Sequence, residues 1–229
     1  MHFHLPKPLH GWREFAGEVG IIVLGVLIAL GAEQAVETIR LRAEASDFRK
    51  AVDHELALDL GTFKINELQR QCTRRRLDEL QAILDRSSTG EPVRLIGKVG
   101  NPIELSQYTN VWDNRKADVV EHLPLEVQLK YAQLYDEFRN TSDVKASQTQ
   151  VWRDFILLEV PGPLSLEERR KIHTSIVRAR SLDGVMEGNW PVSQTLGREL
   201  GIHAEMTPEG AAVARDFHGS DFCKPILRG

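Results

Sequence analysis

An almost uninterrupted apolar run near the N-terminus constrains this chain more than any other feature of its sequence. Residues 15–32 contain one charged side chain, Glu18. As an α-helix, the segment from Phe15 to Ala35 would extend about 31 Å, which matches the hydrocarbon thickness of a bilayer. Trp12 precedes the run and suits a membrane interface. The sequence therefore predicts a transmembrane helix over residues 14–37.

Three alternative interpretations of the run stay open at this point. The first is a cleavable signal peptide with its site at Ala29-Leu-Gly31 before Ala32, although Glu14 and Glu18 stand where a basic region is expected. The second is a buried core helix, which Gly20, Gly25 and Gly31 would destabilise. The third is a helix lying in the membrane interface, but the apolar residues surround the helix instead of lining one face.

The two ends of the run carry a recognisable pattern. Gly17-Glu-Val19 is followed by Gly25-Val-Leu-Ile-Ala-Leu30. This pattern resembles the N-terminal signature of a family of small uncharacterised bacterial single-pass membrane proteins, which read Gly-Glu-Ile, an aliphatic stretch and Gly-Ile-Leu-Ile-Ala-Leu. The resemblance implies a bacterial inner-membrane protein with one transmembrane helix. The family has no assigned activity, so the resemblance implies no chemistry.

A stripe of one acidic and several small residues runs along one face of the predicted transmembrane helix. Spacings of four and three place on one face the residues Glu18, Ile22, Gly25, Ala29 and Ala32. Small residues let two helices in lipid approach closely, and an ionisable residue in an apolar segment suggests a function. We expect a homo-oligomer that pairs through Glu18, Gly25, Ala29 and Ala32. The alternative is that Glu18 only reaches the headgroup layer.

The charges that flank the run predict its orientation. Lys7 and Arg13 lie on the N-terminal side, whereas the first charged residues after the run are Glu33 and Glu37. Because basic residues favour the cytoplasmic side, we expect residues 1–13 to form a short cytoplasmic tail. The rest of the chain would then lie in the periplasm.

The residues after the transmembrane helix, 38–229, have the composition of one soluble domain. The chain has 229 residues, of which 41% are hydrophobic and 27% charged, as in ordinary globular proteins. A formal net charge of -4 argues against a nucleic-acid partner. The two cysteines, Cys72 and Cys223, would meet an oxidising periplasm, where they can form one disulfide or stay small buried apolar side chains.

Apolar residues recur at helical spacing, without a proline, from Ala35 to about Arg86. We expect the transmembrane helix to continue into this long helix, in which Gly61 marks a possible break into two helices. The helix should stop among the turn-forming residues 87–92. Residues 93–105 should form an irregular connection.

A second long helix is expected from Leu123-Pro124 to about Leu158, packed antiparallel on the first. Pro161-Gly-Pro163 should end it. Ser165-Leu-Glu-Glu168 forms a capping box that starts a third helix, which should reach about Arg180.

The last part of the chain should be broken into shorter pieces. Glycines and Trp190-Pro191 interrupt the segment after the third helix, and Thr207-Pro208 should open a short helix that ends near Gly219. The predicted fold is therefore all-α. A single transmembrane helix continues into a long helix, which packs in an antiparallel helical bundle.

The ionisable residues form no catalytic or metal-binding motif. They come close together at Asp53-His54-Glu55 with Asp59, at Glu121-His122, at His203-x-Glu205, and at His218 with Asp221 and Cys223. None of these spacings matches a zinc site or a catalytic triad. We interpret the Asp53 cluster and Arg74-Arg75-Arg76 as solvated helix faces, and His2 with His4 as an incomplete metal site. We expect no catalytic residue, cofactor or metal.

Three classes of function are consistent with these features. We favour a membrane-anchored structural or protein-interaction module that binds itself or an unidentified protein partner. The alternative is a periplasmic sensor-like domain that binds a small molecule and works through a partner, and a pocket lined by Tyr108, Trp112 and Tyr131 would favour it. Two ionisable groups converging in a cleft would instead favour an enzyme.

Overall fold

The structure is a computed structural model that describes residues 11–89, 94–103 and 105–227. Every regular element in these residues is helical, so the predicted all-α fold is confirmed. Three long helices form a bundle, and shorter helices and irregular segments pack along it.

The first helix, α1, runs without a break from Trp12 to Ser88, a length of 77 residues. A helix of this length extends about 115 Å. Its first fully buried side chain is Ala45 and Leu41 already packs against the core, so the residues before Leu41 project from the domain. The prediction that the apolar helix continues into a long second part is confirmed, and α1 ends inside the predicted turn region.

Gly61 lies inside α1 and does not break it, so the predicted break is wrong. A Cβ atom at this position would lie 1.7 Å from the carbonyl oxygen of Glu205. The backbone N–H of Glu205 donates a hydrogen bond of 2.8 Å to the carbonyl oxygen of Ala57. The missing side chain therefore lets the segment 202–207 lie directly on α1.

The connection after α1 returns along the same helix towards its apolar end. Its backbone N–H groups donate hydrogen bonds to α1 side chains, and later residues of the connection meet earlier residues of α1. The pairs are Ile103 with Gln69, Tyr108 with Asp59 and Val111 with Glu55. Two short helices follow, α2 (Asn110–Asp113) and α3 (Ala117–Val120). The described residues of the predicted irregular segment 93–105 are irregular.

The next long helix, α4 (Leu125–Arg153), runs parallel to α1. Its residues meet α1 in increasing order on both helices, in the pairs Tyr131 with Asp53, Tyr135 with Glu55 and Phe138 with Phe63. The predicted antiparallel packing of this helix on the first is therefore wrong, because the connection carries the chain back before α4 begins. A 3-10 turn over Asp154–Glu159 extends α4 to the predicted end.

The third long helix, α5 (Leu166–Leu200), begins at the predicted capping box. The Glu168 N–H donates to Ser165 Oγ at 3.2 Å, and the Ser165 N–H donates to Glu168 Oε2 at 2.7 Å. The predicted end near Arg180 is wrong, because the helix continues through Pro191. Tertiary packing overrides the helix breakers there, since the neighbouring Trp190 stacks on a ring of α1.

The antiparallel character of the bundle comes from α5. It runs antiparallel to α4, with contacts that pair Lys130 with Glu199, Thr141 with Asn189 and Asp154 with Ser175. It is also antiparallel to α1, as shown by Arg74 with Asp183 and by Leu60 with Gly197. The bundle therefore has two parallel helices and one that runs against both.

A short helix, α6 (Pro208–Asp216), starts at the predicted Thr207-Pro208, and the Thr207 hydroxyl accepts the Gly210 N–H at 3.0 Å. A 3-10 turn continues it to the predicted end at Gly219. A second 3-10 turn over Asp221–Cys223 brings the C-terminal segment onto α1.

Two hydrophobic cores fill the bundle. The anchor-side core, nearer the apolar end of α1, includes Val52, Leu56, Trp112, Tyr135 and Phe138. The distal core includes Leu80, Trp152, Phe155, Ile176 and Phe222. Polar side chains of α1 lie between and beside these two cores.

Candidate functional site

The first part of α1 is an apolar helix outside the domain. Among the described helices, α1 alone contains a segment long and apolar enough to cross a membrane, and none of that segment is buried in the fold. Every valine, leucine and isoleucine from Ile21 to Leu30 is at least 50% exposed. A contiguous apolar surface of this extent marks an interaction with a membrane or another protein.

The four residues of the predicted pairing face lie on this bare part of α1. Glu18, Gly25, Ala29 and Ala32 are all exposed. A Cβ atom added at Gly25 would meet no described atom within 4 Å. The helix is therefore open on this side, and pairing through this face stays a prediction.

The second part of α1 carries buried polar side chains that hold the connection. Glu55 Oε2 accepts the Val111 N–H at 3.0 Å, and Glu55 Oε1 accepts the Tyr135 hydroxyl at 2.6 Å. Asp59 Oδ1 accepts the Tyr108 N–H at 2.8 Å. The interpretation of this cluster as a solvated face is wrong for Glu55 and Asp59, because the connection covers them.

Burial raises the pKa of the Asp59 carboxyl to about 8, and the nearby Glu55 carboxylate acts in the same direction. The hydrogen bond from Tyr108 and the positive charge of Lys145 oppose this rise in pKa. The second oxygen of Asp59, Oδ2, has no hydrogen-bond partner among the described residues. Ionised Asp59 is therefore an unfavourable buried charge.

The same cluster contains two tyrosine hydroxyls, which donate to Asp53 and Glu55. Burial raises the pKa of both Tyr131 and Tyr135, and the adjacent carboxylates raise it further. The Trp112 ring stacks on Tyr135 with centroids 5.2 Å apart, so aromatic packing covers the cluster. We interpret these groups as a hydrogen-bonded seam between α1, α4 and the connection.

A buried arginine holds the C-terminal segment against α1. Arg76 is 1% exposed and donates hydrogen bonds to the carbonyl oxygens of Lys98, Phe222 and Lys224, at 3.0, 2.7 and 2.8 Å. Burial lowers the pKa of its guanidinium, and the neighbouring Glu79 opposes that effect. The interpretation of the Arg74-Arg75-Arg76 cluster as a solvated face is therefore wrong for Arg76.

A small polar cavity separates the anchor-side core from the distal core. Its wall includes Gln69, Thr141, Lys145, Gln148 and Asp183. The cavity leaves about 30 Å³ for the centres of water molecules, which suits one or two waters. Burial raises the pKa of Asp183, against the opposing effect of its ion pair with Arg74. This space is too small for a metabolite.

A larger groove opens beside α6. It leaves about 280 Å³ for the centres of water molecules, and its walls come from α1, the connection and the start of α6, with Gly61, Ile65, Tyr108, Met206 and Val213 among the lining residues. The lining surface is mostly apolar, with hydroxyl groups at Thr62, Ser106 and Thr207 and one acidic residue, Glu209. The groove can hold an apolar group that carries one or two hydrogen-bonding atoms.

The three aromatic residues whose common pocket would favour a sensor domain do not share one. Tyr108 lines the groove, whereas Trp112 and Tyr131 pack edge to face in the anchor-side core with ring centroids 5.9 Å apart. The condition that would have favoured the sensor alternative, one pocket lined by these three residues, is therefore not met. No sequence pattern indicates the groove, because its walls come from three distant segments.

The other ionisable clusters separate in the fold. His54 Nδ1 lies 3.6 Å from Glu205 Oε2, so residues of two predicted clusters form one exposed pair. His122 Nδ1 lies 2.8 Å from the Asp118 carbonyl oxygen, a local contact within one turn. His2 and His4 lie outside the described residues.

In the last cluster, His218 with Asp221 and Cys223, each residue has a different environment. Cys223 forms a disulfide with Cys72, the first of the two arrangements that the sequence left open for these cysteines. Asp221 pairs with Lys224 at 2.8 Å, and this contact lowers the pKa of Asp221. His218 stays close to both sulfur atoms.

Comparison with known proteins gives no match to this chain among family models, curated proteins or solved structures. The family resemblance of the N-terminal signature therefore stays a prediction.

Proposed function

We propose that this chain is a membrane-anchored helical module that acts through structural or protein-protein contacts and not as an enzyme. The observation that carries the proposal is the first part of α1, which is apolar, bare in the fold and continuous with the helix on which the domain is built. Residues 15–35 have the length of one bilayer crossing. A bilayer would supply the apolar surroundings that these side chains lack.

The continuity of α1 supports a retained anchor over a cleaved signal peptide. A cut before Ala32 would fall inside a helix that continues to Ser88. The residues from Ala32 to Arg40 are nearly all exposed, so a cut chain would begin with a short helical segment that has no packing to stabilise it. A retained anchor keeps the helix whole.

The domain begins close to the proposed bilayer surface. Leu41 already packs against the anchor-side core, and Lys116 Nζ in the connection lies 3.9 Å from Glu44 Oε2. The distance along α1 from Ala35 to Glu44 is about 14 Å. A module at this height is within reach of headgroups and of neighbouring membrane proteins.

We place the anchor in a bacterial inner membrane, with the domain in the periplasm. The basic residues before the apolar run and the acidic residues after it support this orientation. The disulfide between Cys72 and Cys223 also fits an oxidising compartment.

A topology reporter tests the anchor and its orientation together. A reporter that is active only outside the cytoplasm, fused after Gly229, should be active and remain in the membrane fraction. Soluble active reporter on a chain that starts at Ala32 would establish the signal peptide. An inactive reporter would place the domain in the cytoplasm.

The proposed self-contact uses the open face of the anchor. Cysteines placed on the Glu18 face should cross-link two copies, and Gly25→Leu or Ala29→Leu should abolish the cross-link because a larger side chain holds the helices apart. Val23→Leu, on another face, is the matched control and should cross-link normally. Equal cross-linking in all three variants would show that the face does not pair.

The groove beside α6 favours a second candidate, a sensor-like domain that binds a small apolar molecule. Its volume is close to the lower end of the range for ligand pockets. Its walls come from three segments of the chain, and a bound ligand would contact all three. Such a domain would need a partner to carry the signal.

A fluorescent apolar probe distinguishes this candidate from the first. If the groove binds apolar molecules, Thr62→Trp should displace the probe by filling the groove, whereas Lys64→Trp, at an exposed position two residues away, should not. Equal probe binding by both variants would remove the sensor candidate and leave the anchor untouched.

A further inference from the structure

Three side chains that can bind a metal ion meet where the C-terminal segment crosses α1. The sulfur atoms of Cys72 and Cys223 and a ring nitrogen of His218 all lie within 4.8 Å of one another. Both cysteines are buried, and His218 is exposed at the edge of the cluster. The cysteines are joined as a disulfide, which has no free thiolate to offer a metal ion.

The meeting of these residues does not depend on the disulfide alone. Arg76 holds the carbonyl oxygens of Phe222 and Lys224, one on each side of Cys223. Arg75 donates a hydrogen bond of 3.2 Å to the carbonyl oxygen of Cys223 itself. The backbone of Cys223 is therefore held next to α1 by three hydrogen bonds besides the covalent link. After reduction, the two thiols would stay adjacent.

We propose that the reduced pair, together with His218, binds a zinc-like divalent cation, so that the disulfide and the metal site are alternative states of one cluster. A dithiol reductant gives two electrons and two protons to the disulfide and becomes a disulfide itself. The cation then replaces the two thiol protons and binds both thiolates and one imidazole nitrogen. Water fills the fourth position, since His218 leaves that side open to solvent.

The geometry of the cluster suits this coordination. Tetrahedral zinc takes sulfur at about 2.3 Å and nitrogen at about 2.0 Å, which places two sulfur ligands about 3.8 Å apart. Bonded sulfurs would have to separate by about 2 Å, a distance that rotation of the two cysteine side chains can share.

This inference does not rest on the proposed function, because it concerns the cluster and not the anchor. In an oxidising compartment the disulfide state would dominate, and in a reducing one the metal state. The competing explanation is a purely structural disulfide with a histidine beside it by chance. The two explanations differ only in what the reduced chain binds.

Cobalt spectroscopy on the full chain in detergent micelles tests the proposal. The protein is reduced with a phosphine, which leaves no competing thiol, and Co²⁺ is titrated under nitrogen. The reduced chain should show thiolate-to-cobalt charge transfer in the near ultraviolet and visible bands of tetrahedral cobalt. Zn²⁺ should bleach both.

Two matched histidine variants make the test specific. His218→Ala should weaken cobalt binding at least tenfold, whereas His203→Ala, an exposed histidine outside the cluster, should bind as the unchanged chain does. The oxidised chain should show no charge-transfer band. Absence of the band in the reduced chain, equal binding by the two variants, or equal binding by the oxidised chain would each overturn the proposal.

Discussion

The two parts of α1 differ in which side chains they expose and which they bury. From Trp12 to about Arg40 the helix is bare, and its exposed side chains are mostly apolar until Ala35. From Leu41 to Ser88 the helix is packed into the domain, and it buries acidic, amide and basic side chains among the apolar ones. One continuous helix therefore serves two different environments.

The difference shows what each part requires from its surroundings. The bare part makes all of its backbone hydrogen bonds within the helix, so the surroundings need to supply only apolar contact, which a bilayer does. The packed part offers polar atoms to segments that lack regular structure, because the backbone of those segments needs partners. The first part is suited to lipid, and the second organises the rest of the chain.

The largest effect should come from removing the buried guanidinium of the packed part. Arg76→Ala leaves three backbone carbonyl oxygens without their donor and Glu79 without its ion pair. We expect a loss of about 3–5 kcal/mol in the free energy of unfolding, measured by denaturant titration of the full chain in detergent. Arg75→Ala, at an exposed neighbour with one hydrogen bond, should cost less than about 1 kcal/mol. Equal losses would refute the special role of Arg76.

A charge in the bare part should act on membrane insertion instead of folding. Leu24→Arg places a guanidinium near the middle of the apolar segment and should cost about 2.5–3.5 kcal/mol of insertion free energy. The fraction that resists alkaline extraction from membranes should fall, whereas Leu24→Phe should behave as the unchanged chain does. If both variants partition alike, the segment does not lie in hydrocarbon.

Glycines in the two parts should respond differently to the same substitution. Gly61→Ala introduces a Cβ atom into the backbone of Glu205 and should cost about 1–3 kcal/mol through overpacking. Gly20→Ala introduces a Cβ atom that meets no described atom within 4 Å, and alanine is the better helix former. Thermal unfolding of the two variants should therefore shift in Gly61→Ala alone. An unchanged unfolding temperature in Gly61→Ala would mean that Glu205 does not lie on α1.

The smallest effect should depend on pH and concern Asp59. Its pKa in the folded chain, about 8, lies above its ordinary value of 3.8, so the folded chain holds this proton more tightly than the unfolded chain does. The stability contributed by Asp59 is thus complete below the ordinary pKa and is lost as the pH rises towards the raised one. Asparagine keeps an acceptor for the Tyr108 N–H and carries no charge.

Asp59→Asn should therefore stabilise the chain by about 1–2 kcal/mol near pH 9 and by much less near pH 4, relative to the unchanged chain. Thermal unfolding across this pH range provides the measurement. Glu121→Gln, at an exposed position, is the control and should show no such trend. A gain that is the same at both ends of the range would contradict a raised pKa at Asp59.

Much of the fold follows from local sequence signals. The length of α1, the capping box at Ser165 and the start of α6 at Pro208 are set by periodicity and by hydrogen bonds within a few residues. The continuation of α5 through Pro191 is not set by local signals, because long-range packing on α1 compensates for the lost backbone hydrogen bond. The direction of α4 depends on the path of an irregular connection, which has no periodicity to reveal it.

The polar residues of the packed part have a recognisable sequence signal, because they lie at core positions of an apolar stripe. Asp59 lies between Leu56 and Phe63 at helical spacing, and Arg76 lies four residues before Leu80. A polar residue at a core position of an apolar stripe is either covered and bonded or very costly. The partners of Asp59 and Arg76 come from remote loops, so only the folded structure identifies them.

The central claim is that residues 15–35 cross a bilayer and that the domain begins just beyond. Cysteine accessibility tests it most directly, because the native pair is held as a disulfide and does not react with maleimide. Single cysteines are placed one by one from Trp12 to Ala45 and treated with a membrane-impermeant maleimide in native membranes, then in detergent. We expect about 20 consecutive protected positions between Phe15 and Ala35, with labelling restored before Leu41. Labelling along the whole stretch in native membranes would contradict the claim.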